Sequence, residues 1–312
     1  MAERQVPQRA DRTASTTGFR HRRAWLSQTL GAAAVGAYAA SGQSLAADDA
    51  GAWRVEKNRI HQSVVHWCFQ PMELETLARA AAGMGLKSVE IVEPAHWPIL
   101  KKYGLTCAIA PSHGFVKGLN RMEHHPECLE KLRAAIDASA DFGCPNVITF
   151  SGMRMGLSDE EGIRNTVAGV KQIIGHAEKR KVNLSFEVLN SRVNVEMKGH
   201  PDYQADTIEW GVEVCKQVGS DRMKLLFDIY HVQIMQGDII TRIRQYKDYI
   251  SHYHTAGNPG RNEIDATQEI NYPPIMQAII DTGYQGFVGQ EFIPTRADKI
   301  AALREAVRLC DV

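Results

Sequence analysis

From residue 58 onward, short apolar runs rich in β-branched side chains alternate with longer stretches in which apolar positions recur every three or four residues. The short runs fit strands buried on both faces, and the longer ones fit helices that bury one face. Strands are predicted at 60–66, 88–92, 105–110, 147–150, 183–187, 224–228, 251–254 and 286–291. Helices are predicted at 72–84, 126–142, 158–180, 202–218, 273–283 and 296–310, with another between the sixth and seventh strands. Gly85, Gly143 and Gly219 stand where helices should stop, and Ser158 with Glu161 three residues on has the spacing of a capping box. His124 and His125 read as a solvated turn before Pro126.

Strict alternation, with no low-complexity linker anywhere in 58–312, predicts one α/β domain: a single eight-stranded β/α (TIM) barrel. An open doubly wound sheet fits less well. The first β/α turn lacks a glycine-rich phosphate fingerprint, and polar residues end nearly every strand rather than those beside one switch point.

The first fifty residues break the pattern. Residues 1–23 carry several arginines and end in Arg22-Arg23; a small-residue apolar run at 29–40 and a Ser-Leu-Ala-Ala stretch at 44–47 follow. That order predicts an export signal of the twin-arginine type over 1–47, and with it a periplasmic destination. The apolar run is too short to span a bilayer, so stable membrane insertion is not expected. Lys plus Arg and Asp plus Glu both number 36, which leaves no net field to draw in nucleic acid. The six cysteines show no CxxC spacing and read as free buried thiols, because a twin-arginine passenger folds before export in a reducing cytosol.

Residues able to do chemistry collect at strand ends. Glu187, Asp228, His254 and Glu291 end strands five to eight, each separated from the next by roughly a helix, a strand and their loops. A lone Asp at such a place is more often a helix cap, and a lone His a satisfied buried imidazole. Four at one barrel mouth are different: three unpaired acids repel unless a cation lies between them. The set, hard and rich in oxygen, suits one divalent ion, Mn²⁺ or Mg²⁺. His66, His113 and Glu93, with Trp67, Phe69 and Trp97, stand near other strand ends and are candidate pocket walls; Glu90 competes with Glu93 for the inner face.

Three blocks carry a resemblance. Phe186-Glu187-Val188-Leu189-Asn190-Ser191-Arg192, the run from Phe227-Asp228-Ile229-Tyr230-His231 to Gly237-Asp238, and His252-Tyr253-His254-Thr255-Ala256-Gly257-Asn258-Pro259-Gly260-Arg261 resemble the hydroxypyruvate isomerase family. That family sits within the wider xylose-isomerase-like barrels, which also contain ketose 3-epimerases. The resemblance covers about 60–295 and implies a metal-dependent isomerase of small hydroxy-carbonyl compounds, hydroxypyruvate to tartronate semialdehyde, working through an enediolate. It further implies that Glu187, Asp228, His254 and Glu291 are the metal ligands, that Glu187 and Glu291 are the acid/base pair, and that His231 and Arg261 contact substrate. Residues alone leave His231 open as a partner that orients Asp228. Asp265-Ala266-Thr267-Gln268 stands where the family has a Gly-rich segment. The alternatives are a ketose 3-epimerase or sugar isomerase of the same barrel, which export favours, and a non-catalytic exported sugar-binding barrel. A DNA-repair phosphodiesterase would want more His ligands and a basic groove. A small-molecule partner is expected, and the sequence leaves a homo-oligomer open.

Overall fold

Eight parallel strands form the centre of the computed structural model, which describes residues 53–312. The export segment proposed for 1–47 lies outside the described residues. The strands are β1 (His61–Val65), β2 (Ser88–Glu90), β3 (Ile109–Ala110), β4 (Asn146–Thr149), β5 (Asn183–Glu187), β6 (Met223–Asp228), β7 (Ile250–Thr255) and β8 (Phe287–Gln290). They are ordered β2-β1-β8-β7-β6-β5-β4-β3. Across the remaining seam Val89 N–H donates to Thr106 O (3.2 Å) and Ile91 N–H to Ile109 O (3.0 Å), so the barrel is nearly closed. The fold is the predicted α/β TIM barrel.

Among the described residues ten α-helices clothe it: α1 (Leu74–Met84), α2 (Trp97–Lys102), α3 (His125–Phe142), α4 (Asp159–Lys171), α5 (Ile174–Arg180), α6 (Ile208–Val218), α7 (Ile229–Met235), α8 (Ile239–Tyr246), α9 (Tyr272–Asp281) and α10 (Lys299–Cys310). Their apolar faces, for example Leu77, Ile136, Val170, Val214 and Leu303, are buried against the outward-facing strand residues. α1 stops at Gly85, whose φ of 90° is a left-handed conformation that side chains with a Cβ resist. α4 starts where expected, with Ser158 Oγ accepting from Glu161 N–H (3.2 Å).

Local departures from the sequence reading have physical causes. The helix expected over 158–180 breaks between α4 and α5, where Gln172 and Ile173 close tight i→i+3 bonds to Gly169 and Val170. The helix expected from 202 begins at Ile208, because 202–207 is held over the barrel end instead: buried Tyr203 donates its hydroxyl to Glu187 O (3.0 Å) and accepts from Ser151 N–H (3.0 Å). The third strand shrinks to two residues beside the seam. His125 is buried rather than solvated, with its Nε2 2.9 Å from Leu119 O. All six cysteines are free and buried. No helix among the described residues is long and apolar enough to cross a membrane.

Candidate active site

Alternation along each strand decides which side chains enter the barrel. On β7, Tyr253 turns outward against Phe227 and Tyr284, so His252 and His254 both turn inward. Glu187 ends β5 and Asp228 ends β6, while Glu291 follows β8 and extends its ladder by donating N–H to Thr255 O (2.9 Å). The structure brings these four residues together, with one donor atom from each lying within 4.8 Å of the others. All four are buried.

Asp228 serves two structures at once. Its Oδ1 accepts from the N–H groups of Tyr230 (2.8 Å) and His231 (3.3 Å) and caps α7, while Oδ2 turns to the mouth, 3.4 Å from Arg261 Nη2. Arg261 is positioned by a narrow hairpin in which Gly257 pairs with Asn262 and a Cβ on Gly257 would meet Glu263 O at 2.2 Å. Its guanidinium reaches Glu291 Oε2 (2.5 Å) and Met197 O (3.0 Å) and lies over Trp67, 5.2 Å from the ring centre.

These neighbours pull the acids apart electrostatically. Burial pushes the Glu187 carboxyl up, the Glu291 charge adds to this, and His254 opposes it. Burial also acts to raise Glu291, but the charges of Arg261 and His254 outweigh it and hold that carboxyl well below the usual range. Asp228 is pushed up to about 7 by burial against the pull of Arg261.

The donor set fits a divalent cation on the structure's own terms. Three carboxylates and an imidazole are buried together, and Glu187 Oε1 and His254 Nδ1 have no hydrogen-bond partner. That nitrogen stands 2.9 Å from Glu291 Oε2 and 3.8 Å from Glu187 Oε1 without the alignment of a hydrogen bond. Buried polar atoms left this way are costly unless something fills the space between them.

A pocket of about 360 Å³ opens above the four. Of them, only Glu187 and Glu291 line it. Its walls are largely apolar, with Trp67, Phe115, Phe150, Leu189 and Met197, and Arg261 is its one cation among the described residues.

A family model described as "Xylose isomerase-like TIM barrel" matches residues 78–311. The chain belongs to that family. A human protein described as "Putative hydroxypyruvate isomerase" is 28% identical over 234 residues, covering 73% of this chain and 78% of that one. The 2-oxo-tetronate isomerase of Cupriavidus necator is 34% identical over 122 residues, 39% of this chain and 44% of its own length. Among solved structures, 3-keto-D-glucoside 4-epimerase from E. coli superposes with a TM-score of 0.68 at 16% identity, over 80% of this chain and 98% of that one. The chain is accordingly an enzyme of the isomerase and epimerase class built on this barrel.

Within the xylose isomerase-like barrel the other residues named from sequence fall in different places. His113 lines the pocket, buried, with its Nδ1 facing the Gly114 and Lys117 carbonyls (3.1 and 3.3 Å) and its Nε2 2.8 Å from Thr149 Oγ1. Two carbonyls on one nitrogen put the proton there, so Nε2 accepts from Thr149 and both nitrogens are committed. His231 does not line the pocket. Its Nδ1 accepts from Asn190 N–H (3.1 Å), which leaves the proton on Nε2, 3.5 Å from Asp228 Oδ2, and burial holds its pKa well below the ordinary value. His66 and Glu93 lie together in a separate groove beside α1, because the chain leaves β1 and β2 in short 3-10 turns that swing them out of the mouth. Glu90, not Glu93, faces inward. The 265–268 segment lines another surface groove, away from the pocket.

His200 was missed by sequence reasoning. It lines the pocket beside Phe115, with ring centres 4.4 Å apart, and burial and then the Arg261 charge lower its pKa to about 4. It sits in the loop after β5, where no periodicity marks an inward position.

Proposed function

We propose that this enzyme isomerises a small hydroxy-carbonyl compound by moving a proton between adjacent carbons through an enediolate, with Glu187 and Glu291 as the proton carriers. The observation that carries the reading is the division of labour among the four clustered residues: Glu187 and Glu291 border the pocket, whereas Asp228 and His254 stand behind them. A divalent ion held by Glu187, Asp228, His254 and Glu291 would polarise the substrate oxygens and so acidify the intervening C–H. Glu187 and Glu291 come from strands three places apart and reach a bound ligand from different sides, so one takes the proton and the other returns it. Arg261 presents a fixed positive fork to a substrate carboxylate or hydroxyl pair. Neutral His231, its proton on Nε2, orients Asp228.

Hydroxypyruvate is the substrate suggested by the human relative, and a four-carbon oxo-acid by the Cupriavidus one. A second reading, epimerisation or isomerisation of a larger sugar, is favoured by the pocket itself. At the minimum of about 10–15 Å³ of free space that one water-sized group needs, a three-carbon acid of seven heavy atoms takes up about 70–105 Å³. The pocket holds about 360 Å³. A panel of three- to six-carbon substrates in deuterated water tests both readings. Deuterium should enter at the carbon beside the carbonyl, and Glu187→Gln and Glu291→Gln should each lose about 10²- to 10⁴-fold in rate. Turnover without solvent exchange would mean a hydride shift, and the two glutamates would lose their assigned roles. Export to the periplasm is part of the proposal; it predicts that replacing Arg22 and Arg23 by Lys holds a tagged precursor in the cytoplasm.

A further inference from the structure

Below the four clustered residues lies a second tier that the proposed reaction does not use. Glu90, His252 and the far edge of His254 meet in the middle of the barrel, each with no solvent exposure. The Glu90 Oε2 atom is 2.5 Å from His252 Nε2 and is the hydrogen-bond partner of His254 Nε2 at 3.4 Å. The two imidazoles stand edge to face, 5.0 Å between centres. Room for the carboxylate comes from the neighbouring strand: a Cβ on Gly289 would lie 2.1 Å from Glu90 Oε1.

His254 thus touches acids on both sides, and the two sides differ. Its Nδ1 faces Glu291 and Glu187 at the mouth, and its Nε2 faces Glu90 below. To ligate an ion His254 must be the neutral imidazole, with one N–H and one lone pair, and whichever nitrogen then donates leaves the other free. A carboxylate beneath Nε2 keeps the proton there, so the lone pair of Nδ1 points to the mouth.

We infer that Glu90 is a positioning residue: its carboxylate, in space opened by Gly289, fixes the tautomer and tilt of His254 so that Nδ1 serves the metal site. The inference rests on the proposed metal set, and carboxylates in this relation to a ligating histidine commonly raise metal affinity 10- to 100-fold. His252 lies against the same carboxylate from the side. No step of the reaction passes through either residue.

The test uses the full-length protein loaded with Co²⁺. In the wild type, one ion should bind per chain, and the buried Nε2 proton of His254 should give a hyperfine-shifted resonance that exchanges slowly with solvent. Glu90→Gln should weaken Co²⁺ binding by about 10- to 100-fold in a chelator competition and shift or broaden that resonance, with the unfolding midpoint of the metal-free protein showing that the variant is folded. Glu90→Asp should recover part of the affinity. If Glu90→Gln does not fold, Glu90→Asp, which keeps the charge but shortens its reach to His254 Nε2, should still give a measurable part of the same loss, and wild-type affinity in it overturns the inference. Wild-type affinity in folded Glu90→Gln overturns the inference, as does a second Co²⁺ bound between Glu90 and His252. A wild type that binds no divalent ion at all overturns it together with the proposed metal set, and only that outcome reaches both.

Discussion

Replacing Arg261 by Met is the most informative single change at the mouth. The guanidinium is 3% exposed and pairs with Glu291 at 2.5 Å and Asp228 at 3.4 Å. Methionine keeps an unbranched apolar stem against Trp67 and Tyr230 but removes the charge. At an effective dielectric of about 20 the two contacts are worth roughly 7 and 5 kcal/mol before desolvation is subtracted. Removal of one partner from a buried pair typically costs about 3–5 kcal/mol, and that is the expected loss in metal-free protein. For a barrel of this size it lowers the melting midpoint by about 6 to 20 °C. The divalent ion proposed for this site would act on the same carboxylates. At a hundredfold excess over its Kd it stabilises the wild type by about 2.7 kcal/mol. It should stabilise Arg261→Met by more, because no guanidinium competes, with an affinity at least about tenfold higher and so at least about 1.4 kcal/mol of the gap recovered. Urea unfolding of both proteins with chelator and with Mn²⁺ measures this. Equal destabilisation under both conditions, with unchanged ion affinity, would refute the idea that guanidinium and ion share the acids.

Three further outcomes follow from the structure. His113 is held at about 4 by burial, against an ordinary 6.5, so the unfolded chain takes up its proton first as pH falls and the folded chain resists. This residue's contribution is intact above about 6.5 and is lost between about 6.5 and 4, some 3 kcal/mol in all, and His113→Gln should flatten the fall in urea stability across that window relative to the wild type. Gly118→Ala should destabilise by about 3 kcal/mol or more, because its Cβ would lie 2.3 Å from the backbone of Ser151 and Gly152; full stability by the same measurement would mean that the loop has room to shift. Replacing Glu90 and His252 together by Met and Leu should leave the fold as stable as the wild type or up to about 4 kcal/mol more so, since buried charged and polar groups are often matched by apolar packing, while divalent-ion affinity falls; unchanged affinity by isothermal calorimetry would count against a role for this tier.

How much of this was legible from sequence depends on what fixes each position. Strands five to eight were legible because each short β-prone run ends on a residue able to hold a metal ion, and a parallel barrel delivers such ends to one mouth; Glu187, Asp228, His254 and Glu291 meet as that rule requires. Asp228 shows that a bland reading and a sharp one can both hold, since one oxygen caps α7 and the other faces Arg261. Glu93 and His66 fall outside the pocket because inward alternation ends with the strand, and beyond it His66 opens one 3-10 turn and Glu93 directly precedes another. His200 gave no signal, because a loop has no period to read. The break between α4 and α5 was hidden for the opposite reason: Val170, Ile173, Ile174 and Ala177 keep a helical spacing across it.

Glu90 joins these two kinds of failure. Three residues of β2 are too few to set inward parity by pattern alone, and only the pairing of Ser63 with Ser88 and of Val65 with Glu90 decides it. Once it is decided, the position needs a reason, because barrel interiors are ordinarily filled by branched apolar side chains and a buried carboxylate costs several kcal/mol. Burial alone would raise the Glu90 pKa, yet His252 and then His254 bring it down to about 2, so it remains ionised in a place that strongly disfavours charge. A fold with no use for the proposed metal site would do as well with a leucine there and an alanine in place of Gly289. That the chain instead keeps an acid, two imidazoles and a glycine in register on three strands is accounted for if the orientation of His254 is what they supply, for then the middle of the barrel and its mouth are one polar construction rather than two.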